Sequence, residues 1–141
     1  MEYTIENEYL IVTVTTWGAQ VKSVVRKFDD VEHMWQADKS VWGYHAPILF
    51  PHTGKVVDDL IEAKGEVYQA KQHGFARLME HTLVRQTEDT IVMELRSSEE
   101  TLRIFPYAFR LVSTFTLDGD TLHHKLTVEN WDADKLYFGI G

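Results

Sequence analysis

Seven histidines are the side chains best suited to acid–base work at neutral pH, since imidazole titrates at about 6.5. His73 has the most suggestive setting, within Gln72-His73-Gly74-Phe75-Ala76-Arg77. Gly74 lets backbone approach a ligand closely, and Arg77 adds a planar donor fork suited to hydroxyls, carboxylates or phosphates. The same residues fit a plainer role, with His73 closing a loop and Arg77 paired to one of the many acids. Pattern alone leaves both open. His45 and His52 flank Ala46-Pro47-Ile48-Leu49-Phe50-Pro51 and with His73 would make three imidazoles. No pair of them has the close spacing by which a strand or helix aims two histidines at one metal, so no metal is expected. His123 and His124, adjacent on a strand, must point to opposite faces. His33 and His81 are expected at the surface or on a sheet face.

Aromatic rings are the second resource. Trp42 and Tyr44 lie in a segment without alternation, residues 36–56, which also holds two of the three prolines. Their rings offer a flat apolar face with a polar edge, able to stack on the C–H face of a sugar. Trp35, next to Met34, is expected to pack in the core from a strand. Lys55 follows Gly54 at the exit of the long segment, within reach of the same pocket. The paired acids Asp29-Asp30, Asp58-Asp59 and Glu99-Glu100 fall at turns or a helix start, where acids are common anyway. There is no glycine-rich phosphate loop, no Gly-x-Ser-x-Gly elbow and no zinc-binding helix.

The elements that must position these groups are strands. Residues 9–16 alternate, with Leu10, Val12 and Val14 on one face, and residues 18–28 continue the pattern. Lys64-Gly65 reads as the turn of a hairpin between residues 60–63 and 66–70. A second hairpin joins 80–86 to 90–96, and a third joins 109–117 to 121–130 through Asp118-Gly119-Asp120. Residues 136–141 are expected to begin a further strand. The one helical signal is Ser97-Ser98-Glu99-Glu100, read as a capping box with Ser97 as N-cap; Pro106 keeps the helix short. Residues 38–42 could add a turn. The pattern predicts an all-β, antiparallel sandwich or barrel, with the long 36–56 connection as a ligand rim or lid.

Composition narrows the function classes. The 141 residues make one expected domain, 1–141. With no cysteine, disulfide frameworks, zinc–thiolate sites and cysteine nucleophiles are excluded. Twenty-two acidic against 14 basic residues give a net charge of −8, which argues against binding nucleic acid. No apolar run approaches a membrane span, and residues 1–10 lack the basic start and apolar core of a signal peptide. A cytoplasmic protein is the expectation.

The motifs, taken in order, resemble the aldose 1-epimerase (galactose mutarotase-like) family in its LacX-type branch. The resemblance runs through the strand pair of residues 5–25 with its Gly18-Ala19 turn, Met34-Trp35-Gln36, Trp42-Gly43, Ala46-Pro47-Ile48-Leu49-Phe50-Pro51, Gly54-Lys55, Gln72-His73-Gly74-Phe75-Ala76-Arg77, Ser98-Glu99-Glu100-Thr101-Leu102, residues 107–117 and Tyr137-Phe138-Gly139-Ile140-Gly141. It implies an antiparallel β-supersandwich and interconversion of the α and β anomers of a hexose or hexose phosphate by acid–base ring opening. No metal, nucleotide or other cofactor is implied. His73 matches the family's first active-site histidine, which binds and polarises the sugar. Gln72 and Arg77 belong to the substrate rim, Lys55 stands where many relatives have arginine, and Trp42 and Tyr44 complete the expected substrate-binding set. His52-Thr53 replaces a usually apolar pair.

Family members are about twice this length. The resemblance places the general-acid histidine just after Gly141 and the glutamate base farther on. Residues 1–141 are therefore expected to form the N-terminal half of a sandwich, inactive alone. A non-catalytic carbohydrate-binding or sugar-sensing module is the alternative, and a plain interaction domain a third reading. Open edges and an uncovered apolar face lead us to expect marginal stability, aggregation or pairing into a homodimer.

Overall fold

A computed structural model describes all 141 residues. β1 (Glu2–Glu6), β2 (Leu10–Thr15), β3 (Gln20–Arg26) and β4 (Val31–Glu32) form one antiparallel sheet in sequential order. After the long connection come a two-stranded hairpin, β5 (Leu60–Ala63) and β6 (Glu66–Gln69), and then a second four-stranded antiparallel sheet. Its strands are β7 (Thr82–Gln86), β8 (Thr90–Arg96), β9 (Phe109–Asp118) and β10 (Thr121–Asn130), with the short helix α1 (Glu99–Leu102) between β8 and β9. The architecture is all-β, as the alternation predicts.

Alternation explains the core. In β2, Leu10, Val12 and Val14 are buried while Ile11, Thr13 and Thr15 are only half-buried. In β9 the odd positions Phe109, Leu111, Ser113, Phe115 and Leu117 all point inward, as do Ile91, Met93 and Leu95 of β8. The apolar ones among them join Ile5, Val21, Ile48, Phe50, Phe75 and Phe105 in one cluster fed by both sheets. The Lys64-Gly65 turn has positive φ at both residues, 52° and 79°, which matches a two-residue primed hairpin turn.

Three expectations need correction. The capping box sits one residue later than expected. Ser98 is the N-cap, accepting from the Thr101 N–H, while the Thr101 hydroxyl accepts from the Ser98 N–H. Ser97 instead turns its hydroxyl to the Phe109 N–H at the start of β9. Residues 136–141 form no strand; Gly139 donates its N–H to the Pro51 carbonyl and Gly141 exchanges two backbone bonds with Leu49, which seals the long connection. Trp35 is not in the core but 43% exposed, because β4 ends at Glu32. The turn expected over residues 38–42 is present, with the Asp38 carbonyl accepting from the Val41 and Trp42 N–H groups. The strand β1 was hidden in the sequence, since two of its five residues are glutamates and only Ile5 is buried.

Candidate functional site

The long connection is anchored at Phe50, fully buried at the centre of an aromatic cluster. Its ring lies 6.1 Å from Phe75, 6.0 Å from Phe105, 5.0 Å from Phe109 and 5.9 Å from Phe138. Phe75 belongs to the Gln72–Arg77 block, so apolar packing fastens the connection to that block. Backbone bonds finish the join. The Phe50 carbonyl accepts from the N–H groups of Phe75, at 2.9 Å, and Ala76, at 3.2 Å. Gly74 is required here: φ is +69°, and a Cβ would collide with the Phe50 carbonyl.

His73 is held reciprocally by Gly54. Its backbone N–H donates to the Gly54 carbonyl at 2.9 Å, and the Gly54 N–H donates to His73 Nδ1 at 2.9 Å. An Nδ1 that accepts carries no proton, so the neutral ring must hold its hydrogen on Nε2. The Gln72 amide nitrogen lies 3.3 Å from Nε2; two donors cannot pair, so a turn of the amide by 180° brings its oxygen there to accept that hydrogen. His73 therefore presents a donor, not a base, toward the rim.

Arg77 completes the cluster. Its guanidinium lies 5.0 Å from the centre of the Tyr44 ring and donates once, to the Gln72 carbonyl at 3.2 Å. Its Nε is buried without a partner, while other guanidinium hydrogens remain uncommitted. Tyr44 in turn packs 5.9 Å from Trp42, at a tilt of 49°. Trp35 braces this rim by donating Nε1–H to the Trp42 carbonyl at 2.8 Å. His45 braces it too: its Nδ1 is 2.7 Å from the Trp35 carbonyl, and its N–H donates to the side-chain oxygen of buried Gln20.

Five of the six expected residues, Gln72, His73, Arg77, Tyr44 and Trp42, are thus joined in one chain of contacts. Lys55 is not part of it: its ammonium lies 3.7 Å from Asp59 and is two-thirds exposed. His52 approaches the Lys71 carbonyl at 2.8 Å. With His45 on Trp35 and His73 on Gly54, the three imidazoles are tied to separate backbone groups, and no three His, Asp or Glu side chains gather closely enough to hold a metal. No carboxylate hydrogen-bonds to Gln72, His73 or Arg77; the cluster is one of donors and rings.

His81 departs furthest from expectation. It is 2% exposed rather than on the surface, with Nε2 3.1 Å from the Ala76 carbonyl. Burial pushes its pKa below the ordinary histidine value, partly opposed by that contact and by Glu80. The pKa of His124 is also lowered, by desolvation on the side where its ring stacks 4.2 Å from Phe115, although the residue stays exposed. The bracing roles of Gly54 and Gln20 had no sequence signal, because each depends on a group 19 or 25 residues away in the chain.

The whole chain, residues 1–141, matches the aldose 1-epimerase family model. It is 32% identical over 140 residues to two LacX proteins of Lactococcus lactis subsp. lactis, plasmid and chromosomal, covering 96% of this chain. The chain spans 46% of the length of these relatives. A galactose mutarotase related enzyme from Lactobacillus acidophilus superposes with a TM-score of 0.97 at 36% identity, over 99% of this chain and 47% of its own. A galactose mutarotase-like protein from Lactobacillus casei gives 0.96 at 33% identity, over 99% and 48%. The fold is therefore that of the galactose mutarotase-like proteins, of which this chain represents about half. The chain belongs to the aldose 1-epimerase family.

Proposed function

We propose that this member of the aldose 1-epimerase family supplies the sugar-binding wall of a mutarotase-type site and serves the interconversion of hexose anomers. The observation that carries the reading is the reciprocal hold of Gly54 on His73. It fixes a neutral imidazole with Nε2–H outward, beside the uncommitted donors of Arg77 and the Tyr44–Trp42 rings. A pyranose offers what this cluster lacks: oxygen acceptors along its edge and an apolar C–H face for the rings.

Anomer exchange removes the proton of the C1 hydroxyl and protonates the ring oxygen. The bond between C1 and the ring oxygen breaks, C1 becomes a carbonyl carbon, rotation about C1–C2 exchanges its faces, and closure reverses the proton transfers. His73 contributes a hydrogen bond to a sugar oxygen on which charge develops, and Arg77 adds positive potential beside it. The base and the acid are groups other than these, since His73 Nδ1 is committed and no carboxylate adjoins the cluster. Arg77 suits a free hexose through hydroxyls or a hexose phosphate through its donor fork. A cytoplasmic setting completes the proposal, supported by the acidic, cysteine-free composition.

The same commitment of Nδ1 favours one second reading, a module that binds sugar without speeding its mutarotation. Saturation transfer between the α and β anomers of glucose, with and without protein, separates the two. Faster exchange that disappears in His73→Ala supports the catalytic role. Binding without acceleration supports the module, and absence of binding removes both.

A further inference from the structure

Arg77 rides on a single helical turn, Ala76–Leu78, whose own bonds are few: Leu78 N–H to Phe75 and Met79 N–H to Ala76, at 2.8 and 3.3 Å. Such a turn is not rigid by itself. Two neighbours clamp it from the side away from the rim. Gly18 donates its N–H to the Met79 carbonyl at 2.8 Å and lies so near that a Cβ would stand 2.8 Å from the Arg77 carbonyl oxygen. His81 donates its backbone N–H to Thr16 at 2.8 Å and brings Nε2 to the Ala76 carbonyl. With Phe50 accepting the Ala76 N–H, both backbone polar groups of the residue preceding Arg77 are fixed.

The protonation state follows from geometry. Only a hydrogen on Nε2 can face a carbonyl oxygen, so the neutral ring leaves Nδ1 bare, and Nδ1 is buried without a partner. An unpaired buried nitrogen is costly, and a phenyl ring at this place would avoid that cost. The cost makes sense if the donor on Nε2 has work to do.

We propose that His81 is a positioning residue for Arg77: its neutral imidazole pins the Ala76 carbonyl and so fixes the turn that presents the guanidinium over Tyr44 and beside His73. This rests on the sugar-binding reading above. Glu80 is the charged group that acts on the ring; Arg77 stands on the turn the ring meets, and the Met1 ammonium bonds to Thr16, whose carbonyl accepts the His81 N–H. Glu94, opposite Thr82, is already paired with Arg96 and Arg110. A second proton, on Nδ1, would put a cation in a space without an acceptor, and the turn must open to hydrate it. Acidification below the ordinary histidine value therefore loosens Arg77.

The test compares the chain with His81→Phe, which keeps the ring volume, and His81→Gln, which keeps a donor, each with and without Arg77→Ala. Amide exchange at Leu78 and Met79 is read without sugar, and glucose affinity by NMR titration. His81→Phe should speed exchange at these two amides about 10-fold relative to β9 and weaken glucose binding about 10-fold. His81→Gln should recover most of both, and in the Arg77→Ala background His81→Phe should weaken glucose no further. Unchanged exchange in His81→Phe, or additive losses of affinity, would overturn the proposal. Should the unaltered chain bind no glucose, the sugar reading fails, and the exchange data alone decide the role of His81. Should His81→Phe not fold, acidification decides. Exchange at Leu78 and Met79, corrected for intrinsic rates, must rise below pH 6.5 in the unaltered chain and stay flat in His81→Gln; equal behaviour in both overturns the proposal.

Discussion

At His73 one backbone N–H determines which ring nitrogen faces outward, so the backbone of Gly54 matters as much as the imidazole. We expect His73→Ala to weaken glucose binding about 10-fold, and His73→Gln, which keeps a donor but not the ring acceptor for Gly54, to fall between; NMR titration of the three chains checks the order. Gly74 is a sharper case. Its φ of +69° and its closeness to the Phe50 carbonyl forbid a side chain, so Gly74→Ala should cost at least about 2 kcal/mol in urea unfolding. A cost below about 0.5 kcal/mol would contradict that packing. The Gln72–Arg77 block was legible in the sequence because residue types of known chemistry stand together. Lys55 stands apart from that block, its exposed ammonium 3.7 Å from Asp59. His81 was misread because neither its alternation nor its neighbours in sequence reveal the Ala76 carbonyl that it meets.

At the scale of elements, alternating residue types and the turn residues between them made β2, β3 and the three hairpins legible, although a face buried at every second residue is complete only in β2, β8 and β9. The failures share a cause. The helix cap slipped by one residue because Ser97 and Ser98 both have the right chemistry, and the choice depends on which hydroxyl meets the Phe109 N–H. Residues 136–141 carry strand-like composition, yet they pair with only Leu49 and Pro51. The long 36–56 connection carries Trp42 and Tyr44 beside Arg77; what alternation could not reveal is that Phe50 anchors it to the core. Phe50→Ala should cost about 3–5 kcal/mol and release the Trp42–Tyr44 rim, seen as a lower urea midpoint and as shifted Trp35 and Trp42 indole resonances. An unchanged midpoint would mean that the aromatic cluster does not anchor the site.

For the whole molecule, acidity and the open sheet edge set behaviour. The pKa values of buried His81 and of His124, desolvated on one side against Phe115, are both lowered. The unfolded chain binds their protons as pH falls through the ordinary value of 6.5, before the folded chain does. Their contribution to stability is thus complete above that pH and declines below it. Urea midpoints should fall from pH 7 toward 5, and the decline should be shallower in His81→Gln. β10 is the last strand of its sheet, ten residues long and without proline, so its outer N–H and C=O groups are unpaired. Its inward face, Leu122, His124, Leu126 and Val128, is only partly covered. Such an edge invites pairing. We expect concentration-dependent self-association in sedimentation, and expect it to weaken when Leu126→Lys places a charge on that face; a strict monomer at every concentration would contradict this.

The most direct test of the central claim is a titration of glucose into isotope-labelled protein, with the shifted amides and side chains mapped. The account predicts saturable shifts concentrated at Gly54, Gln72, His73, Arg77 and the Tyr44–Trp42 rim, with β1 and β7 silent. Saturable shifts elsewhere with none at His73, or no shifts at millimolar glucose, would contradict it.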